Sequence, residues 1–232
     1  MVPETKFLYL ILNLITLGFP LILSFDRRVA YYKRWKYLFP SIVIMALIFI
    51  IWDVIFTKYD IWGFNDKYLV GLNIINLPLE EWLFFITIPY ACVFIYDCIK
   101  YYFPNLDLQY SGSIIGVLLG ILLALFAILN LGKHYTYITF ISLSMILLLL
   151  VIRRSKYLGR FFISFGIILV PFFIINGILT GTWIPEPIVW YNDNFNLDFR
   201  LWTIPVEDIF YAMLLLLGNI ALYEHFQKRT QH

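Results

Sequence analysis

The tetrapeptide Pro78-Leu79-Glu80-Glu81 returns near the other end of the chain as Pro205-Val206-Glu207-Asp208, and each copy opens a long apolar run. Trp82 to Ile99 follow the first copy, and Ile209 to Tyr223 follow the second. Upstream, Ile51-Trp52-Asp53-Val54-Ile55-Phe56-Thr57 corresponds to Ile174-Ile175-Asn176-Gly177-Ile178-Leu179-Thr180, and a Trp- and Asn-rich connector comes next in both places. An internal duplication constrains the fold more than any single segment does, because both copies must form one kind of unit and stack on each other.

The solvent for that unit follows from composition. Hydrophobic residues make up 62% of the chain and charged ones 14%, with a mean hydropathy of +0.82, which places it among integral membrane proteins. A net charge of +2 gives no reason to expect a nucleic-acid partner. Apolar runs of roughly 18–20 residues cross a bilayer as helices. Seven are predicted, at Phe7–Phe25, Leu38–Thr57, Leu79–Ile99, Ser113–Leu131, Tyr135–Ile152, Phe161–Leu179 and Val206–Tyr223. Met1 to Lys6 leads into the first span without a small-residue cleavage site, so no removable signal peptide is expected.

Matching spans are separated by four crossings and therefore run in the same direction. The expected fold is all-α: seven transmembrane helices as two parallel three-helix repeats, joined by a linker helix and related by a pseudo-twofold axis along the membrane normal. Residues 1–110 form the first repeat, 111–133 the linker span and 134–232 the second repeat. Of the lysines and arginines, 12 fall on the side of Arg27, Arg28, Lys100, Arg153 and Arg229, against 5 on the side of Lys6, Lys58, Lys67, Lys133 and Arg200. The positive-inside rule then sets the N-terminus outside and the C-terminus inside the cell membrane.

A single Pro-x-Glu-Glu reads as a helix start, since proline suits the first turn and acids there complement the helix dipole. Two copies at the same face and depth point instead to one shared site. Asp53 strengthens that reading, because it lies inside span two among apolar neighbours, where an ionisable residue is a functional candidate. Asn176 takes its place in the second half. Neighbouring helix residues point about 100° apart, so only one acid of each pair can face a pocket squarely, and spacing leaves open which.

The connectors carry Trp62, Phe64 and Tyr68, then Trp183, Trp190, Tyr191, Phe195 and Trp202. Aromatics also collect at membrane interfaces with no further role. Asp97, Asp107, Glu186, Asp193 and Asp198 lie near span ends or in loops and are expected to face water. The histidines share no ligand spacing, and Cys92 and Cys98, about 9 Å apart along one helix, suit neither a disulfide nor a metal. No Gly-x-Gly-x-x-Gly, no Walker motif, no Asp-rich magnesium motif and no lysine in span seven occur. Nucleotide-cofactor, prenyl-diphosphate and retinal chemistry therefore have no support.

Trp52-Asp53, Pro78-Leu79-Glu80-Glu81, Asn176-Gly177-Ile178-Leu179-Thr180-Gly181, Glu186-Pro187-Ile188-Val189-Trp190-Tyr191-Asn192 and Ile204-Pro205-Val206-Glu207-Asp208-Ile209-Phe210-Tyr211 together resemble the flavin-free, membrane-embedded lycopene β-cyclases. The chain is similar to the fused two-repeat form without a phytoene synthase domain. The resemblance implies a redox-neutral, acid-catalysed cyclisation of lycopene ends to β-ionone rings, giving γ-carotene or β-carotene, without a cofactor or metal. It implies lycopene and γ-carotene as substrates, the bilayer as surroundings and other carotenoid enzymes as potential partners.

Glu80 and Glu207 are then expected to meet across the pseudo-twofold axis as acid and base, with Glu81 and Asp208 orienting them and Asp53 as a third participant. Trp52, Trp82, Asn176, Trp183, Trp190, Tyr191, Trp202, Phe210 and Tyr211 are expected to contact substrate. Two rivals remain open from the residues alone. A small proton-coupled carrier shares the three-plus-one-plus-three plan, and a carotenoid hydratase would capture the same cation with water.

Overall fold

The computed structural model describes residues 5–106 and 108–229; Asp107 lies outside the described residues. Among them are seven α-helices: α1 (Leu8–Leu23), α2 (Trp35–Lys58), α3 (Leu79–Tyr102), α4 (Gln109–Leu129), α5 (His134–Ile152), α6 (Leu158–Leu179) and α7 (Val206–Arg229). Six are long and apolar enough to cross a membrane. The exception is α1, with 16 residues, which spans about 24 Å at 1.5 Å per residue. It stops short of the expected Phe25, with Ser24 as its C-cap and the Ser24 hydroxyl donating to the Pro20 carbonyl at 2.7 Å. The charged turn with Arg27 and Arg28 follows directly.

At the other extreme α7 outruns its expected end at Tyr223 by six residues, and buried polar contacts hold the extra turns. Glu224 accepts from Lys100 at 2.6 Å and from the Tyr96 hydroxyl at 2.7 Å. Tyr223 donates to Asp97 at 2.5 Å, and Arg34 donates to the same carboxylate at 2.9 Å. Asp97 was expected in water. It is fully buried instead, because partners from α7 and from the turn before α2 replace its hydration.

The apolar core runs the length of α2, α3, α5, α6 and α7. α1 packs on α3, and α4 packs on α5 and α6. Both connectors fold at the end of the bundle where α3 and α7 begin, here the connector end; the arginine- and lysine-rich loops occupy the opposite, basic end.

The two connectors have the same construction. β2 (Asn73–Ile74) and β3 (Leu77–Pro78) form a small hairpin, as do β5 (Arg200–Leu201) and β6 (Ile204–Pro205). Each turns through a left-handed residue, Ile75 at φ 62° and Trp202 at φ 58°. Each delivers its proline to the mouth of a helix: Leu79 N–H donates to Leu72 O at 2.8 Å, and Val206 N–H to Phe199 O at 3.0 Å. Proline's fixed φ and the acids that follow it favour a helix start there.

The connectors also pair with each other. β1 (Trp62–Phe64) runs antiparallel to β4 (Val189–Tyr191), with Gly63 opposite Trp190. Gly63 and Trp190 occupy equivalent places in the two repeats, so the pseudo-twofold axis passes through this pair. Asn65 N–H donates to Ile188 O at 2.8 Å and Asn192 N–H to Ile61 O at 2.9 Å, which extends the seam at both ends.

Candidate active site

The seam roofs a chamber of about 410 Å³ walled by α1, α3, α6 and α7. Its polar groups gather beneath the connectors. Glu81 and Asp208 line it from the first turns of α3 and α7, and Asn176, Tyr9, Tyr135 and Tyr191 line it beside them. The first turns present these acids to the chamber because the preceding residue of each pair is committed elsewhere.

Glu80 accepts the Val70 N–H at 2.6 Å, and Glu207 accepts the Leu197 N–H at 2.8 Å. Each glutamate thus ties its own connector to its own helix, and Thr136 adds a 2.5 Å bond to Glu207. Both are fully buried and neither lines the chamber. The expected meeting of Glu80 with Glu207 across the axis does not occur. The helical register turns these two towards backbone donors and turns Glu81 and Asp208 inward.

The inward pair differ in their surroundings. Asp208 accepts from the Tyr135 hydroxyl at 2.6 Å, from Asn176 Nδ2 at 2.8 Å and from the Tyr191 hydroxyl at 2.8 Å. Three donors converge on this carboxylate, whose chain neighbour Glu207 is a second acid bonded to other partners. Burial, then the Asp208 carboxylate, push the Tyr191 hydroxyl well above its ordinary pKa, so it remains a donor. Glu81 accepts from the Tyr9 hydroxyl at 2.5 Å, and the Asp53 carboxyl is an electrostatic neighbour of it. Asp53 also accepts from Trp62 Nε1 and from Thr57 at 3.3 Å.

Four aromatic rings complete the polar end. Trp62 lies 5.1 Å from Tyr135, 6.2 Å from Tyr191 and 5.9 Å from Tyr211 between centroids. Tyr135 in turn lies 5.9 Å from Tyr191 and 6.1 Å from Tyr211. Such a cage gathers several aromatic rings at the polar end of the chamber.

Of the expected substrate contacts, Asn176, Tyr191 and Tyr211 line the chamber. Trp183, Trp190 and Trp202 stand on the outer face of the connectors, Trp202 being 74% exposed. Trp82 packs on the core, Phe210 packs against Phe140 at 4.9 Å, and Trp52 stacks among Phe49, Phe56 and Tyr211. The chamber residues that motif reading passed over are Tyr9 and Tyr135. They sit in equivalent turns of α1 and α5 and hold the two inward acids, so extending the self-comparison into the first span would have found them. Among the described residues no three His, Cys, Asp or Glu side chains are arranged to hold a metal ion.

A duplicated bundle of membrane-length helices, with paired carboxyls and an aromatic cage in an otherwise apolar chamber, defines the class: a membrane-embedded enzyme for a lipophilic substrate. A family model described as lycopene cyclase matches residues 6–99 and again residues 132–226, one stretch on each side of α4. The chain belongs to the lycopene cyclase family. It is an enzyme of carotenoid cyclisation, with carotenoid substrates and membrane surroundings, and the match supports this reading over the carrier and the hydratase. Comparison with curated proteins and with solved structures returns no match.

Proposed function

We propose that this cyclase forms β-ionone rings by an isomerisation carried out at Glu81 and Asp208. Two neighbouring buried carboxyls disfavour a second charge, so Glu81 beside Asp53 holds the proton that the reaction needs. Glu81 delivers it to the terminal isopropylidene double bond and leaves a tertiary cation. The neighbouring double bond attacks that cation and closes a six-membered ring. Asp208, already an acceptor, removes a proton from the ring to give the β end group. One proton is gained and one lost, so the reaction is an intramolecular lyase or isomerase step without redox change. Trp62, Tyr135, Tyr191 and Tyr211 stabilise the cation through their π faces and keep water from trapping it as an alcohol.

Supporting this assignment is the placement of both inward acids at one end of a single apolar chamber. Glu80 and Glu207 serve the connectors, and the division into repeats at residues 1–110 and 134–232 around linker 111–133 gives each repeat one acid of the pair. The concentration of basic residues at the far end supports a cell-membrane orientation with both acids near the outer face and the C-terminus inside. Other carotenoid enzymes would exchange substrate with it through the bilayer.

Separate Glu81→Gln, Asp208→Asn and Glu80→Gln variants in lycopene-accumulating cells test the roles by pigment extraction. Glu81→Gln and Asp208→Asn should each lose about 10²–10⁴-fold in ring formation, the usual contribution of a direct acid or base. Glu80→Gln keeps an oxygen for the Val70 N–H and should retain most activity. Loss in the Glu80 variant with activity kept in the Glu81 variant would overturn the assignment.

A further inference from the structure

The basic end holds a second cavity, of about 380 Å³, that the chamber chemistry does not use. It lies where the α3–α4 turn, the start of α6 and the end of α7 meet. Asn105 and Gln109, Lys156 and Arg160, and Glu224 and Lys228 line it.

The duplication shows why a cation is left over here. Tyr96 and Tyr223 each lie fifteen residues beyond the inward acid of their own helix, and Asp97 and Glu224 follow them. Each tyrosine donates to the acid of the other repeat, Tyr96 to Glu224 at 2.7 Å and Tyr223 to Asp97 at 2.5 Å. In one half of this exchange Arg34 pairs with Asp97 at 2.9 Å. The cation placed for the same task in the other half is Arg160, an electrostatic neighbour of the Tyr96 hydroxyl that shares the cavity with Glu224. Lys100 takes Glu224 instead, donating to it at 2.6 Å and to Gln227 Oε1 at 3.1 Å.

Among the described residues no acid pairs with Arg160, and its Nε is buried without an acceptor. The Nε2 of Gln227, one position before Lys228, is buried without an acceptor as well. A buried donor in that state is unfavourable, more so on a charged group. Lys156 and Lys228 line the same cavity from exposed positions. With Glu224 neutralised by Lys100, the lining carries three positive charges that no other described lining residue offsets.

A group that satisfies them must bring negative charge and several acceptor oxygens. It must also reach the level at which the membrane helices end, since α3 stops at Tyr102 and α7 at Arg229 while α4 and α6 begin at Gln109 and Leu158. Phosphate supplies the charge and the oxygens, and basic pockets between membrane helices at this depth suit anionic lipid headgroups. The volume falls within the roughly 300–1,000 Å³ of small-molecule sites, more than a lone ion needs.

We propose that this cavity binds the phosphate of an anionic phospholipid headgroup, at the junction of linker helix α4 with both repeats. Arg160 supplies the buried donor, and Lys156 and Lys228 supply the remaining charge. The site is independent of which acid acts in the chamber.

The test counts adducts on the intact protein in detergent by native mass spectrometry, with phosphatidylglycerol, phosphatidylcholine or inorganic phosphate added. The unaltered protein should retain one phosphatidylglycerol at concentrations where phosphatidylcholine and inorganic phosphate leave no adduct. Lys156→Gln combined with Lys228→Gln replaces two exposed side chains and should weaken retention about 30-fold, at about five-fold for each basic residue. Arg160→Gln should weaken it about ten-fold or more, the scale of a hydrogen bond to a charged group. Arg153→Gln combined with Arg154→Gln removes equal charge from exposed positions outside the cavity and should leave retention unchanged. Equal loss in that control would reduce the binding to diffuse attraction and overturn the site. Retention of both lipids alike, or of neither, would overturn it too. An inorganic phosphate adduct at the concentration that suffices for the lipid would keep the donor set and overturn the lipid as its source.

Discussion

The groove between α3 and α6 is open, while its counterpart between α7 and α2 is shut, although both derive from the same repeat. Few side chains account for the difference. Ile175 of α6 lines the chamber, and its equivalent in α2 is Trp52, whose indole packs on Phe49 at 5.5 Å and Tyr211 at 5.2 Å. Ile168 borders the open side, and its equivalent Met45 presses on α7 at Gly218, where a Cβ would lie 2.4 Å from Met45 Cε. Ala91 stands in the place of that glycine on the open side. Asp53 faces Asn176 as the polar mismatch. Duplication supplied two grooves; one houses chemistry and the other has been given to packing.

The most severe way to break this asymmetry is to copy the plug. Ile175→Trp should fill the open chamber and lower ring formation by at least about a hundred-fold, the scale on which displaced substrates lose productive geometry. Pigment analysis beside a thermal unfolding curve checks it, and near-normal conversion would mean that the substrate sits elsewhere. The reciprocal Trp52→Ile should leave cyclisation largely intact while costing about 2 kcal/mol from the cavity it opens.

Making the polar mismatch symmetric has a smaller effect. Asp53→Asn gives both halves an asparagine and removes the second carboxyl beside Glu81. A drop of about ten-fold is expected, below the 10²–10⁴ of a direct acid. Assays over a pH series in vesicles would expose it, and an unchanged rate would assign proton storage to Glu81 alone.

The seam should have the least effect on ring formation and act on stability instead. A Cβ on Gly63 would lie 2.3 Å from Trp190 Cζ2, so Gly63→Ala should destabilise the fold by about 1–3 kcal/mol. Adding Trp190→Ala should restore much of that loss, because the two substitutions share one contact. Unfolding in detergent measures both, and additive losses would place the strain elsewhere.

Much of the fold was legible because apolar run length and duplication are local properties of the chain. Helix starts at Leu79 and Val206 follow from proline and acids in adjacent positions. The choice between Glu80 and Glu81 was not legible, since it depends on where Val70 and Leu197 direct their N–H groups after the connectors fold. Asp97 misled for a similar reason: its partners Arg34 and Tyr223 come from distant parts of the chain. Trp183 and Trp202 looked like pocket residues because an amphipathic ring suits a pocket and an interface equally well. Tyr9 and Tyr135 carried no flag, as a tyrosine in an apolar span resembles any other packing residue until its hydroxyl finds a carboxylate.

The β1–β4 pairing has a consequence for how the two halves could come to differ. Main-chain hydrogen bonds do not depend on side-chain chemistry, so the joint keeps its alignment although one half carries Trp190 and the other the Gly63 that makes room for it. After the copying event, each half was free to drift in the residues that face the membrane or the chamber while the joint kept them fitted. Descent with divergence needs a part whose alignment outlasts changes elsewhere in the chain. In this molecule that part is three residues of backbone on each side.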